Sequence, residues 1–138
     1  MAEREKVAIV TGASGGIGRE TAMALADAGW TVYAAARNPD KAPAFSGISL
    51  RPLKLDVTVD ASMREAVDLV LKENGRIDLL VNNAGYGLYG PLEELDLDDL
   101  RRQFETNVVG LARMSQLVLP AMRRQGSGRI INVGSSAG

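Results

Sequence analysis

Four short stretches of this 138-residue chain combine residue types that could do chemistry. The first is Thr11-Gly-Ala-Ser-Gly-Gly-Ile-Gly18, where Gly12, Gly16 and Gly18 allow a tight turn and close backbone approach to a ligand. If a helix starts there, its free N–H groups favour phosphate; the alternative is a tight turn with no ligand. A Walker-type ATPase loop would need Gly-Lys-Ser/Thr, but Gly18 is followed by Arg19 and Glu20. The second stretch is Ala36-Arg37, at the end of an apolar run. In a dinucleotide fold an acidic residue at this place accepts bonds from ribose hydroxyls, whereas a guanidinium can fork onto a phosphate. Arg37 therefore points to NADP(H) in preference to NAD(H), the alternative being a solvated residue after a strand. The third is Asn107, three residues after Phe104 and four before Leu111, on or beside an apolar stripe. A buried amide left unpaired there would cost about 1–3 kcal/mol, so it needs partners unless it faces solvent. The fourth is Gly128-Arg-Ile-Ile-Asn-Val-Gly-Ser-Ser-Ala-Gly138, a buried-strand pattern running into small hydroxyl residues. An open α/β sheet presents a site at its carboxyl edge in this manner.

Composition narrows the chemistry. There are no cysteines and no histidines, which removes disulfides, a thiol nucleophile, Ser–His triads and, by expectation, any transition-metal site. A formal net charge of −1 gives no broad positive field for nucleic acid or an anionic membrane. The start, Met-Ala-Glu-Arg-Glu-Lys, lacks an apolar signal core, and no apolar run is long enough to span a bilayer. A cytoplasmic protein acting on small molecules is expected.

The elements that must position these residues alternate from end to end. Strands are read at 7–10, 30–36, 50–55, 77–81 and 130–133, with Pro52 placing the third at an edge. A helix follows the glycine turn and ends at Gly29; a second covers 60–73, with Met63, Ala66, Val67, Val70 and Leu71 on one face, and stops at Asn74-Gly75. Only a short helix fits between Asn38 and Gly47. Leu97, Leu100, Phe104, Val108, Leu111, Val118 and Met122 mark one long helix, kinked at Pro120. Strands separated by helices require a parallel sheet with right-handed crossovers. No repeat or linker interrupts it, so residues 1–138 read as one α/β domain.

Together, Thr11-Gly-x-x-x-Gly-x-Gly18, Asn82-Asn-Ala-Gly85, Asn107 in the long helix and the Ser135 loop resemble the short-chain dehydrogenase/reductase family, continuously from Lys6 to Gly138. The resemblance implies a Rossmann-like, doubly wound sheet of about five strands in the order 3-2-1-4-5. It implies that Gly12, Ser14, Gly16, Ile17 and Gly18 contact the pyrophosphate and its ribose, and that Arg37 meets the 2′-phosphate. Asp56 and Val57 would line the adenine pocket, although Asp56, Thr58 or Asp60 could instead cap the helix that follows. Asn83, Ala84 and Gly85 would pack against the cofactor, while Asn82 reads better as a buried amide joining strands. Asn107 would hold a water in a proton relay, and Ser135 would hydrogen-bond the oxygen of a carbonyl or alcohol substrate, with Ser136 one register away. Relatives often form homo-oligomers through the long helix bearing Asn107.

One departure stands out. The family's general acid/base is a Tyr followed four residues later by a Lys, but Tyr33, Tyr86 and Tyr89 are followed at that spacing by Arg37, Gly90 and Glu93. The expectation is a truncated chain, inactive in hydride transfer as it stands, whose fifth strand would otherwise be a bare apolar edge. Tyr86 and Tyr89 fit substrate contact or packing. Gly85-Tyr-Gly-Leu-Tyr-Gly-Pro-Leu-Glu-Glu94 resembles the loop of members acting on steroid- or retinoid-like alcohols. The competing functions are a non-catalytic NADP(H)-binding module and a protein that binds partners along its last strand.

Overall fold

The computed structural model describes residues 5–41 and 49–135. Five parallel strands form one sheet in the order β3-β2-β1-β4-β5: β1 Val7–Val10, β2 Thr31–Ala36, β3 Leu50–Lys54, β4 Leu79–Asn82 and β5 Arg129–Asn132. Pro52 lies in β3 at one edge, where its missing N–H leaves no ladder bond unmade on the outer side. Because side chains alternate along a strand, β1 serves two cores at once. Val7 and Ile9 point to one face, with Tyr33, Leu53, Val70 and Met114; Ala8 and Val10 point to the other, with Val32, Ala34 and Ala22.

Helices cover both faces. On one lies α1, Gly16–Asp27; on the other lie α2, Asp60–Asn74, and the helix leading to β5. The first two end beside Gly29 and Gly75, both with left-handed backbone. No side chain caps α2: its N-cap is Val59, and Asp56 Oδ1 instead accepts the N–H and hydroxyl of Thr58. The expected cap at Asp56, Thr58 or Asp60 is therefore not made, because the Asp56–Thr58 turn closes on itself. The segment after Asn38 opens as a 3₁₀ turn, Pro39–Lys41; the remainder of the stretch read as a short helix, up to Gly47, lies outside the described residues.

The long helix departs from expectation. It consists of α3, Leu97–Phe104, a π turn at Glu105–Val109, and α4, Gly110–Gln125. The break in regular α-helical bonding falls at this π turn, while α4 carries Pro120 within its span; Pro120 is exposed, so the carbonyl it leaves without a donor can face water. The apolar stripe does not form core throughout. Met114, Val118 and Met122 are buried against α2 and the sheet, whereas Leu97, Phe104 and Val108 are exposed, because α3 makes little contact with the sheet or with α2.

Strand four begins two residues later than the apolar run suggests. Both backbone groups of Ile77 are taken by the Gln125 side-chain amide, which withdraws residue 77 from the ladder. At the other end Asn82 joins the strand, its amide donating to Asn132 Oδ1 at 3.0 Å and to Ser115 Oγ at 3.3 Å. No helix among the described residues is long and apolar enough to cross a membrane.

Candidate functional site

The carboxyl ends of β1, β2 and β4 open into a cleft of about 530 Å³. Its floor is built by one hydroxyl. Thr11, buried directly after β1, accepts the N–H groups of Asn83 and Ala84, each at 2.9 Å, and donates to the Val81 carbonyl at 3.3 Å. The turn after β1 is thereby tied to the turn after β4. Asn83 adds a second tie, its side-chain amide donating to the Gly12 carbonyl at 3.1 Å.

The glycines make this contact possible. Gly12 has φ +61°, and a Cβ there would stand 2.9 Å from Ala84 Cα; a Cβ at Gly18 would collide with the Gly12 carbonyl and the Asn83 amide. Gly15 and Gly16, by contrast, face open space. Gly15 is the N-cap of α1 and makes no side-chain cap bond, so N–H groups and the positive end of the helix dipole are directed to the cleft.

Across the cleft, Arg37 follows β2 and Asp56 and Val57 follow β3. Burial alone would raise the Asp56 pKa, but the hydrogen bonds from Thr58 and the charge of Arg37 outweigh it and hold the carboxyl below its ordinary value. Asp56 is an anion at neutral pH, facing a fixed cation.

Of the residues singled out from sequence, Gly12, Ser14, Ile17, Arg37, Asp56, Val57, Asn83, Ala84 and Gly85 line this cleft. Gly16 opens α1 at its rim, and Gly18 is buried behind it. Asn107 lies one layer back in the π turn. Its side chain accepts the Tyr86 N–H at 3.0 Å and donates to the Tyr86 carbonyl at 2.7 Å, gripping both backbone groups of a cleft residue. Ser135 is exposed beyond β5 and does not line the cleft, and Ser136 lies outside the described residues. Sequence reasoning missed Thr11 as the tie and Thr106 as a lining residue. A hydroxyl placed immediately between an apolar strand and a glycine turn was the available signal for Thr11. Among the described residues no group of His, Cys, Asp and Glu could hold a metal ion.

Comparison with known proteins agrees with this arrangement. A family model described as short chain dehydrogenase matches residues 6–138. The chain is 39% identical to the 3-ketodihydrosphingosine reductase of Bacteroides thetaiotaomicron, covering 96% of this chain and 48% of that protein. A short-chain dehydrogenase structure from Streptomyces avermitilis superposes with a TM-score of 0.92 at 40% identity, over 97% of this chain and 50% of that one. A gluconate 5-dehydrogenase from Burkholderia cenocepacia, solved with NADP and tartrate, gives 0.87 at 33% identity over 96% and 55%. The chain thus spans about half the length of the relatives it matches. The parallel order β3-β2-β1-β4-β5, the glycine turn in its cleft and the match from Lys6 to Gly138 lead to one assignment: the chain belongs to the short-chain dehydrogenase family.

Proposed function

We propose that these residues form the dinucleotide-binding part of an NADP(H)-dependent oxidoreductase that interconverts a secondary alcohol and a carbonyl compound. The observation that carries this reading is the uncapped start of α1, facing open space at Gly15 and Gly16, with Arg37 across the same cleft. Two sources of positive potential fit the two anionic centres of NADP(H), its pyrophosphate and its 2′-phosphate. The nicotinamide, when bound, supplies or accepts the hydride.

The chain's own residues bind and orient. Backbone N–H groups around Ser14, Gly16, Ile17 and Gly18 receive the pyrophosphate, with Gly12 giving it room, and Arg37 receives the 2′-phosphate. Asp56, ionised, accepts from the adenine amino group while Val57 covers the ring. Asn83, Ala84 and Gly85 support the ribose and nicotinamide side. Ser135 donates its hydroxyl to the substrate oxygen, and Asn107 supports the proton relay. No Tyr of the 138 residues has a Lys four positions on, so none of them is assigned the general acid/base.

The relatives' names run from a sphingoid ketone to a sugar acid, so the family leaves the substrate open. An apolar one is favoured here, because Tyr86, Tyr89 and Leu92 present exposed apolar surface on the loop leaving β4, Tyr89 being 82% and Leu92 77% exposed. Titration of the chain with NADPH and NADH by calorimetry tests the cofactor reading; binding of NADPH with clear preference is expected, and heat from neither would end it. Nicotinamide absorbance of the whole enzyme with apolar ketones against sugars tests the substrate class.

A further inference from the structure

The π turn at Glu105–Val109 touches both walls of the cleft. At its carboxyl end the Gly110 N–H bonds back to the Glu105 carbonyl, five residues earlier, and this bond closes the wide turn. Gly110 is buried with its Cα face against the loop after β3. A Cβ there would collide with the Val57 carbonyl and stand 3.0 Å from Val57 Cβ. The obstacle is backbone, which a rotamer change cannot move aside. At the middle of the same turn Asn107 holds Tyr86 by both backbone groups, and an added Cβ on Gly85 would stand 2.9 Å from Asn107 Oδ1. Asn107's amide and Gly110's bare backbone lie three residues apart, and the residues they touch, Tyr86 and Val57, line the same cleft.

We propose that this turn is a brace with two ends, in which Gly110 sets the position of Val57 and Asn107 sets that of Tyr86, so that filling one end of the cleft orders the other. The proposal rests on the reading of the cleft as a dinucleotide site, Val57 being on the adenine side and Tyr86 on the nicotinamide side. Gly110 and Asn107 are positioning residues in this respect. Packed walls joined by a rigid turn transmit displacement because neither contact has slack to absorb it.

Hydrogen–deuterium exchange on the unaltered chain tests the coupling. The probe is 2′,5′-ADP, which has the adenine, ribose and phosphates but no nicotinamide. The expected result is slower exchange at the amides of Val57 and Thr58 and also at Tyr86 and Gly110. Protection confined to the glycine turn and the loop after β3 would overturn the brace while leaving the dinucleotide reading intact. Binding of neither 2′,5′-ADP nor NADPH would instead remove the reading itself, and the brace with it. Calorimetry on variants supplies an independent check that does not depend on one mutant folding. Asn107→Ala should lose about tenfold in NADPH affinity and keep its 2′,5′-ADP affinity within twofold. Gly110→Ala should lose about tenfold for both ligands, with circular dichroism unchanged. Equal losses for both ligands in Asn107→Ala, or unaltered 2′,5′-ADP binding by a folded Gly110→Ala, would refute the division of labour.

Discussion

Arg37 stands at the cleft rim with its charge close enough to Asp56 to help keep that carboxyl ionised. The two interact electrostatically, so the 2′-phosphate of the proposed NADP(H) would meet a cation whose partner is already engaged by Thr58. A charge-assisted hydrogen bond contributes about 1.5–3 kcal/mol, or roughly 10- to 150-fold in affinity. Arg37→Ala should therefore lower NADPH affinity by at least about tenfold and leave NADH affinity within about twofold, a difference that calorimetry with both cofactors would register. Equal losses for both would show that Arg37 contacts no 2′-phosphate. At this scale the sequence was informative wherever a residue type is costly to bury or unusual in its place. The glycine turn and Arg37 were recognisable as residues that come to one cleft, as was the strand-joining amide of Asn82, and Asn107 has the partners expected of it. That those partners are the two backbone groups of one loop residue, Tyr86, could not be read, because the loop approaches the helix only through tertiary folding.

Elements here begin and end where side chains intercept backbone groups, and the amino edge of the sheet shows this best. Asp78 precedes β4, buried, and accepts the Val7 N–H at 2.8 Å while Arg76 forks onto its carboxylate. Burial raises its pKa, but the Arg76 and Val7 bonds and the charges of Arg76 and Lys6 more than offset this, so the folded value lies below the ordinary one. A carboxyl whose folded pKa is depressed stabilises fully above its unfolded pKa of about 3.9 and loses that contribution as pH falls through the lower folded value. Asp78→Ala leaves the Val7 N–H and the Arg76 guanidinium short of a partner and should cost about 2–3 kcal/mol at pH 7. Urea unfolding at pH 7 and pH 3 would check this: the gap between wild type and variant should narrow in acid, and a gap that does not change would assign the loss to packing. Period made the helices and strands legible, and Gly29 and Gly75 marked where α1 and α2 stop, whereas the side-chain cap expected for α2 was not made. The π turn was not, because a wide turn leaves the apolar spacing on either side unbroken. Phe104 and Val108 keep helical spacing with Leu111 and so read as buried, yet α3 and the π turn run clear of the sheet that buries α4.

The whole sheet reverses its winding between β1 and β4, the neighbours of opposite crossovers, and the cleft sits at that point. This much followed from the alternation of strands and helices together with the family resemblance, since right-handed crossovers leave few other orders. The cleft's residues come from the segments after β1, β2, β3 and β4, which Thr11, Asn83 and the π turn help to hold together. A ligand lying across them bonds to groups that are brought together only in the folded chain. Binding to the native state alone adds RT ln(1 + [L]/Kd), about 2.7 kcal/mol at a ligand concentration 100 times Kd. For a chain of this length that corresponds to a rise in Tm of roughly 8–10 °C. NADPH should produce a shift of this size in a thermal melt, and NADH at the same concentration a clearly smaller one. Because 2′,5′-ADP would engage the loops after β1, β2 and β3 but not those after β4, its shift at matched saturation should follow its own affinity by the same relation. A large shift with NADH and none with 2′,5′-ADP would place the stabilising contacts on the nicotinamide side and contradict the role given to Arg37.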